Sequence, residues 1–521
     1  MKYSLKTLLE KKGFVAFAIF TIFIIAFFMR VMYLPQGALT FAYDQARDAL
    51  IIQEILDGDF KILGPSVSGI PGFYHGVLYY YVIAPAYLLG NGCPVVVSFW
   101  LALINSLFVF VVYFLAKKMT GKQGWSLIAA LLFALSFEQS QYATWLSNPT
   151  MGVWFVTLLY TGLYLWLKER KTRFLLLSGL SYGFAIQSNF SLTYHLIPIA
   201  LWFLYSRKSL KKEAFVLFLG AFVFSVFSMV LVELKFGFKI FDGLKYLLDS
   251  QQNLGLKTGL GEFIIDYLNH MGRVFANNLF PQIPAFGGLF GTGMLLYYLF
   301  RIANLKNKHD LEIKLLITWI LSFLMASTLG GTNIPHITAG IGVGVIILTT
   351  FFIREFIGDH PLIAIYILLI IFVANIVKIV DENRNGQTIF AIQKDMILVN
   401  EKAVVDYTYN HAEGGEFSIN TLTSPLYINT TWSYLYNFYG KEKYGYLPFW
   451  RGKSQKDLLG DNLPGVEEDV FTHFYIIEDM EGIPSRYLTD GLEEENSKSK
   501  VVDKNGFGKL IVQKRQILEN K

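Results

Sequence analysis

The apolar residues of this chain fall in blocks of about 16 to 23 residues, the length a helix needs to cross roughly 30 Å of hydrocarbon. A chain that is 53% hydrophobic and only 16% charged cannot cover such blocks with polar surface, which excludes an ordinary soluble domain. The blocks read as about eleven membrane-spanning helices. The first, Phe14 to Met29, has no small-residue cleavage site and is followed by further spans, so it reads as a retained anchor. The single cysteine, Cys93, makes no internal disulfide, and no Cys/His cluster has zinc-ligand spacing. Nothing in the pattern points to nucleic acid.

Orientation follows from the lysines and arginines, which concentrate in short cytoplasmic loops. Lys2, Lys6, Lys11 and Lys12 put the N-terminus inside, so residues 35–75 form a long outer loop carrying Asp44, Asp48, Glu54, Asp57 and Asp59. Residues 77–89 are short, tyrosine-rich and interrupted by Pro85, as suits a helix lying at the interface. With that helix left out of the count, Val95 to Ala116 crosses inward to Lys117, Lys118 and Lys122, and Trp125 to Phe137 returns outward. The spans Gly152–Leu167, Phe174–Ile186, Leu192–Tyr205, Ala214–Val232, Ala285–Phe300, Leu315–Leu329, Ile337–Ile353 and Leu362–Val377 then alternate, with basic clusters on every second turn. This leaves residues 233–284 as a large outer loop. It also puts everything after Lys378 outside.

From about Asp381 the composition turns polar and mixed. Helical periodicity runs from Ile392 to Tyr409, with strand-like stretches at Phe417–Leu422, Phe471–Ile477 and Leu510–Gln513. The loop signals are His411–Glu416, Gly460–Gly465 and Glu493–Lys500. The chain thus divides into a membrane domain, residues 1–380, and a small extracytoplasmic α/β domain, residues 381–521. Asn429-Thr-Thr is formally a glycosylation sequon.

Charged side chains are nearly absent from the span interiors, where an ion-coupled transporter keeps them. The polar chemistry gathers at the outer face. In the segment that begins Phe41-Ala-Tyr-Asp-Gln-Ala-Arg-Asp, apolar residues at helical spacing place Asp44 near the start of an amphipathic helix, where the helix dipole favours a carboxylate. From spacing alone Asp44 is equally well a helix cap, with Arg47 and Asp48 on a solvated face. Tyr79, Tyr80 and Tyr81 read first as an aromatic belt at the outer interface. Glu138 and Glu233 lie at outer span ends, and His195 reads as packed inside a span. The glycines of Gly340-Ile-Gly-Val-Gly-Val suit close helix packing.

The motifs Tyr43-Asp44-Gln45-Ala46-Arg47-Asp48, Gly64-Pro65 to Gly72, His75-Gly76-Val77-Leu78-Tyr79-Tyr80-Tyr81 and Ser147-Asn148-Pro149, set among these spans, resemble the GT-C membrane glycosyltransferases. The most similar branch is the family 39 type, with protein O-mannosyltransferases and lipid A aminoarabinose transferases. The resemblance covers about residues 14 to 380. It implies a polyprenyl-phosphate sugar donor, a lipid, glycan or protein acceptor, a hexosyl- or pentosyl-transferring enzyme that inverts the anomeric centre, and a bacterial or archaeal plasma membrane as its location.

The aspartate that serves such enzymes as general base maps onto Asp44. His75, Arg273, Arg47 and His336, together with Asp48 and Asn148, are the candidates for donor phosphate and substrate. Relatives often carry Asp-Glu where this chain has Asp44-Gln45, and some carry Asp where it has Asn148. No cofactor is called for, and a divalent cation is left open. A lipid or oligosaccharide transporter is the competing reading, since many spans and an aromatic outer face suit it equally. A glycan-binding outer domain on a membrane scaffold is a third.

Overall fold

The computed structural model describes residues 12–67, 72–243, 245–246, 260–304, 310–323, 335–391, 393–412, 414–466, 470–481 and 483–518. Its first two thirds is a packed set of helices: α1 (Lys12–Val31), α2 (Tyr43–Leu56), α3 (Leu78–Leu89), α4 (Pro94–Thr120), α5 (Gln123–Leu135), α6 (Phe137–Thr144), α7 (Thr150–Glu169) and α8 (Arg173–Ser188), then α9 (Leu196–Tyr205), α10 (Lys212–Ser225), α11 (Phe227–Phe236), α12 (Leu260–Leu279), α13 (Pro284–Asn304), α14 (Asp310–Leu321), α15 (Ile341–Asp359) and α16 (Pro361–Asn385).

Among the described residues five helices are long and apolar enough to cross a membrane: α1, α4, α7, α13 and α16. A sixth is counted if α10 and α11, bent by 58° at Val226, form one broken span. By length and composition alone, five or six of the expected eleven spans are thus recognised among the described residues. The sequences at Trp125–Phe137 and Leu192–Tyr205 make shorter apolar helices, and Leu315–Leu329 runs past the described residues. Where helices meet, glycine lets backbones approach: a Cβ on Gly183 would lie 1.9 Å from Ser225 Oγ, and one on Gly179 2.3 Å from Phe218 O.

The basic clusters of alternate turns converge at one end. Lys118 pairs with Glu169 and Lys168 with Glu312, both at 3.0 Å, and Arg354 Nη1 donates to Thr120 O at 3.0 Å. The acidic loop lies at the opposite ends of the same helices. The expected large loop at 233–284 proves to hold α12, whose Met271, Val274, Phe275 and Leu279 are buried. Its polar and apolar residues alternate at helical spacing, a pattern that composition alone reads as loop.

The C-terminal part is a five-stranded sheet in the order β2-β1-β3-β5-β4, from β1 (Ser418–Leu422), β2 (Phe449–Trp450), β3 (Thr472–Ile477), β4 (Ser499–Phe507) and β5 (Leu510–Ile517). β1 runs parallel to β2 and β3, and β5 antiparallel to β3 and β4. Helices cover both faces, so the central strands are buried, as in layered α/β folds. They are α17 (Leu398–His411), α18 (Thr430–Leu435) and α19 (Ser485–Lys498).

Most of the loop expected at Glu493–Lys500 belongs to α19, where Leu488 and Leu492 pack under Leu422 and Tyr475 and Glu494 pairs with Lys498 at 2.7 Å. Asn429 is 1% exposed, so the sequon lies inside the packing.

This layer sits directly on the acidic loop. Phe41 N–H donates to Met396 O and Leu398 N–H to Leu39 O, both at 3.0 Å. The Phe41 and Tyr434 rings lie 5.4 Å apart, and Tyr434 Oη donates to Gly92 O. The start of α2 is thereby clamped from above.

Candidate active site

Asp44 occupies the first turn of α2. Gln45 fixes that turn: its Oε1 accepts from Ala42 N–H at 3.0 Å and its Nε2 donates to Leu146 O at 3.1 Å. A glutamate could not make the second bond, so the glutamine joins the acidic helix to the loop after α6. Arg47 forks between two carboxylates, Nη1 to Asp44 Oδ1 and Nη2 to Asp48 Oδ1, both at 2.7 Å. Its guanidinium lies 5.8 Å from the Tyr43 ring centre.

The three groups differ in exposure. The Asp44 side chain is 50% exposed, Arg47 13% and Asp48 4%. Asp48 is therefore a buried anchor, and it also accepts from Tyr80 Oη at 3.3 Å. Burial raises its pKa to about 6 against the pull of Arg47. Burial works against the Arg47 cation too, but Asp48 and Asp44 hold its pKa above the ordinary arginine value. Asp48 thus lies buried behind Asp44, and Arg47 ties the two carboxylates together. Tyr79 and Tyr80 are buried rather than forming an interfacial belt, and Tyr80 belongs to the site, a role that spacing alone did not disclose.

His75 leads out of the Gly64–Gly72 loop. Its backbone N–H donates to Pro65 O at 2.8 Å, and its Nδ1 accepts from Phe190 N–H at 3.2 Å. The ring proton therefore sits on Nε2, the nitrogen free to donate to a ligand. Burial, with His336 and Arg47 nearby, lowers its pKa, so the imidazole is neutral at physiological pH.

The loop closes through two glycines. A Cβ on Gly64 would stand 2.4 Å from both His75 O and Gly76 O, and one on Gly76 2.3 Å from Gln187 Oε1. Gln187 in turn holds Leu78 N–H and the Ser225 carbonyl at the α10–α11 break. Gly64→Ala is expected to push His75 off its seat and to cost about 1–3 kcal/mol of overpacking. Thermal unfolding in detergent should read this as a lower midpoint together with reduced activity.

His336 and Arg273 complete the surroundings. The His336 ring packs 5.3 Å from Trp145, its carbonyl accepts from Asn189 Nδ2 at 3.3 Å, and its buried Nδ1 has no partner among the described residues. Burial and the charge of Arg273 lower its pKa to about 4. Arg273 Nη2 reaches His270 Nδ1 at 3.0 Å and Pro335 O at 3.4 Å. Asn148 Nδ2 donates to Ser188 O at 2.5 Å, which makes it a brace between two loops.

Thus the charge of Arg47 and the ring of His336 are within electrostatic reach of His75, and the charge of Arg273 is within reach of His336. Glu233 caps a turn, accepting from Ile240 N–H at 3.0 Å, and His195 is packed against Tyr160 and Tyr194. Asp44 and Asp48 are bridged by Arg47.

Glu138 is the residue whose importance the sequence understated. It is buried in the first turn of α6, hydrogen-bonded to Asn278 Nδ2 of α12, with Asn278 Oδ1 accepting from Ser136 Oγ at 2.8 Å. Gly342 packs against both side chains. Burial raises the Glu138 pKa to about 8, opposed by Asn278 and Arg273. Below that pH it is neutral and leaves Arg273 unquenched; above it, the carboxylate competes for the guanidinium. An anionic ligand of Arg273 is therefore expected to bind more weakly as pH rises past about 8. Glu138→Gln should flatten that dependence, as read from affinity for polyprenyl phosphate across the pH range.

Residues 74–232 match the family model described as dolichyl-phosphate-mannose-protein mannosyltransferase. In three dimensions the chain is similar to ArnT from Cupriavidus metallidurans bound to undecaprenyl phosphate. The TM-score is 0.56 at 12% identity, over 96% of this chain and 98% of that one. It is also similar to the oligosaccharyltransferase of Archaeoglobus fulgidus tethered to an acceptor peptide containing the NVT sequon. There the TM-score is 0.50 at 13% identity, over 81% of this chain and 63% of that one. No curated protein matches the sequence.

Proposed function

The chain has the fold of the GT-C membrane glycosyltransferases, and we propose that it moves a sugar from a polyprenyl-phosphate donor to an acceptor hydroxyl at the outer membrane face, with Asp44 as general base. The observation that carries this reading is the asymmetry of the acidic helix. Asp48 is sunk and satisfied, whereas Asp44 is half exposed and held in place by a buried arginine.

In this scheme the acceptor O–H gives its proton to the Asp44 carboxylate as its oxygen attacks the anomeric carbon. The bond from that carbon to the phosphate oxygen breaks, and polyprenyl phosphate leaves with one more negative charge. A single displacement inverts the anomeric centre. The phosphate leaves as a stable anion, so cations and hydrogen-bond donors aimed at it matter more than a general acid. Arg273 supplies the charge, and His75 Nε2–H and His336 supply polar contacts. Arg47, Asp48 and Tyr80 position the base.

An apolar groove of about 840 Å³ between α8 and α10, lined by Leu176, Leu180, Val216, Leu217 and Phe224, suits the isoprenoid chain. Its Phe224 end adjoins Ser225, which Gln187 ties to the His75 loop. We take residues 381–521 as an extracytoplasmic domain that clamps the acidic loop, and the N-terminus as cytoplasmic.

The test offers the same labelled sugar to purified protein on a polyprenyl monophosphate or on a nucleotide, with a hydroxyl acceptor. Transfer from the lipid alone is expected. Transfer from the nucleotide alone contradicts the proposal.

A further inference from the structure

Arg30, near the end of α1, is only 2% exposed, yet among the described residues its hydrogen bonds all go to neutral acceptors. Nε donates to Asn105 Oδ1 at 2.9 Å, Nη1 to Ala26 O at 2.8 Å and Ala134 O at 3.2 Å, and Nη2 to Phe133 O at 3.4 Å. The Ala134 and Phe133 carbonyls end α5, so the guanidinium caps that helix. Among the described residues no carboxylate pairs with it. Asn105, fully buried, spends its oxygen on Arg30 and leaves Nδ2 without a partner. Exchanging the amide oxygen and nitrogen does not help, because it would turn an NH2 toward the Arg30 Nε–H. Donors therefore outnumber acceptors around a buried cation.

A cavity of about 20 Å³ adjoins this cluster, lined by Arg30 with Tyr33, Thr40, Gln141, Asn383 and Thr388. Its polar walls are already engaged: Gln141 Nε2 donates to Asn383 Oδ1 at 2.7 Å, Gln141 Oε1 accepts from Ile389 N–H at 2.9 Å, and Thr40 Oγ1 donates to Gly386 O at 3.0 Å. The space suits one water or one monatomic ion and is too small for a phosphate, since a single water already needs roughly 10–15 Å³. A water would offer an acceptor but no charge, and an uncompensated buried cation is the costlier defect.

We propose that this cavity binds a chloride ion held by Arg30. The ion would join α1, the segment before α2, α6 and the end of α16. Trp145 lines the same cavity and packs on the His336 ring, so the ion would support the floor of the candidate site. The proposal stands independently of the transfer reading.

The test compares thermal unfolding of the purified full chain in chloride and in gluconate at equal ionic strength. The expected result is a midpoint about 3 °C or more higher in chloride, rising with its concentration. Asn105→Asp supplies an internal anion and should unfold at the same temperature in both salts. Crystals grown in bromide should show an anomalous peak beside Arg30, a readout that decides the matter even if the variant fails to fold. Equal midpoints in the two salts, or a bromide-free cavity, would overturn the proposal.

Discussion

Asp44→Asn is expected to lower sugar transfer by about 10² to 10⁴-fold, the usual worth of a positioned general base, while the protein still inserts and folds. The amide keeps the shape of the side chain and loses only the ability to take a proton. Folding should tolerate the change because half of the side chain is exposed and Arg47 keeps its 2.7 Å pair with the buried Asp48. Donor KM should move little, since the phosphate is held elsewhere. Asp48→Asn should do the opposite. It removes the buried one of the two carboxylates that neutralise Arg47, leaving only the half-exposed Asp44, and so weakens the fold before it touches the chemistry. Steady-state kinetics beside thermal unfolding separate the two variants, and unchanged transfer in Asp44→Asn removes the base assignment.

The second large effect is expected at Arg273. Arg47 is neutralised by two carboxylates, whereas the hydrogen-bond partners of Arg273 are a backbone carbonyl and an imidazole, and the nearby Glu138 is neutral below a pH of about 8. Among the described residues Arg273 is thus less neutralised than Arg47, and it is the cation we assign to a phosphate that gains a negative charge as it leaves. Arg273→Met should lower kcat by about 10² to 10³-fold, the loss seen when one preorganised donor to developing negative charge is removed. It should also weaken product inhibition by polyprenyl phosphate. Arg273→Lys should recover part of the rate, because a point charge replaces the fork. A variant that loses stability and keeps its rate constants would return Arg273 to a packing role.

The sequence made the membrane architecture legible because its signals are local: block length, and lysines at alternate ends of blocks. The same holds for α2, where apolar spacing and an acid in the first turn mark a helix start. Residues that act across the chain were opaque. Glu138 meets Asn278 from 140 positions away, Tyr80 reaches Asp48 from 32, and Arg30 meets Asn105 from 75. Nothing in their own neighbourhoods announces those partners. Span alternation leaves α12 in a loop, and local composition does the same for most of Glu493–Lys500 in α19, although each helix turns one apolar stripe inward. Gln45 shows the reverse case. Set beside a family pattern it looks like a lost carboxylate, whereas its two hydrogen bonds make it the residue this loop junction requires.

A transferase makes a glycosidic bond, whereas a transporter only moves the lipid. Purified chain in sealed vesicles with a donor labelled on both sugar and lipid separates the two most directly. The account predicts one free polyprenyl phosphate for each new glycosidic bond on the acceptor, with no product when the acceptor is omitted. Intact donor appearing on the opposite leaflet without any new bond would contradict it.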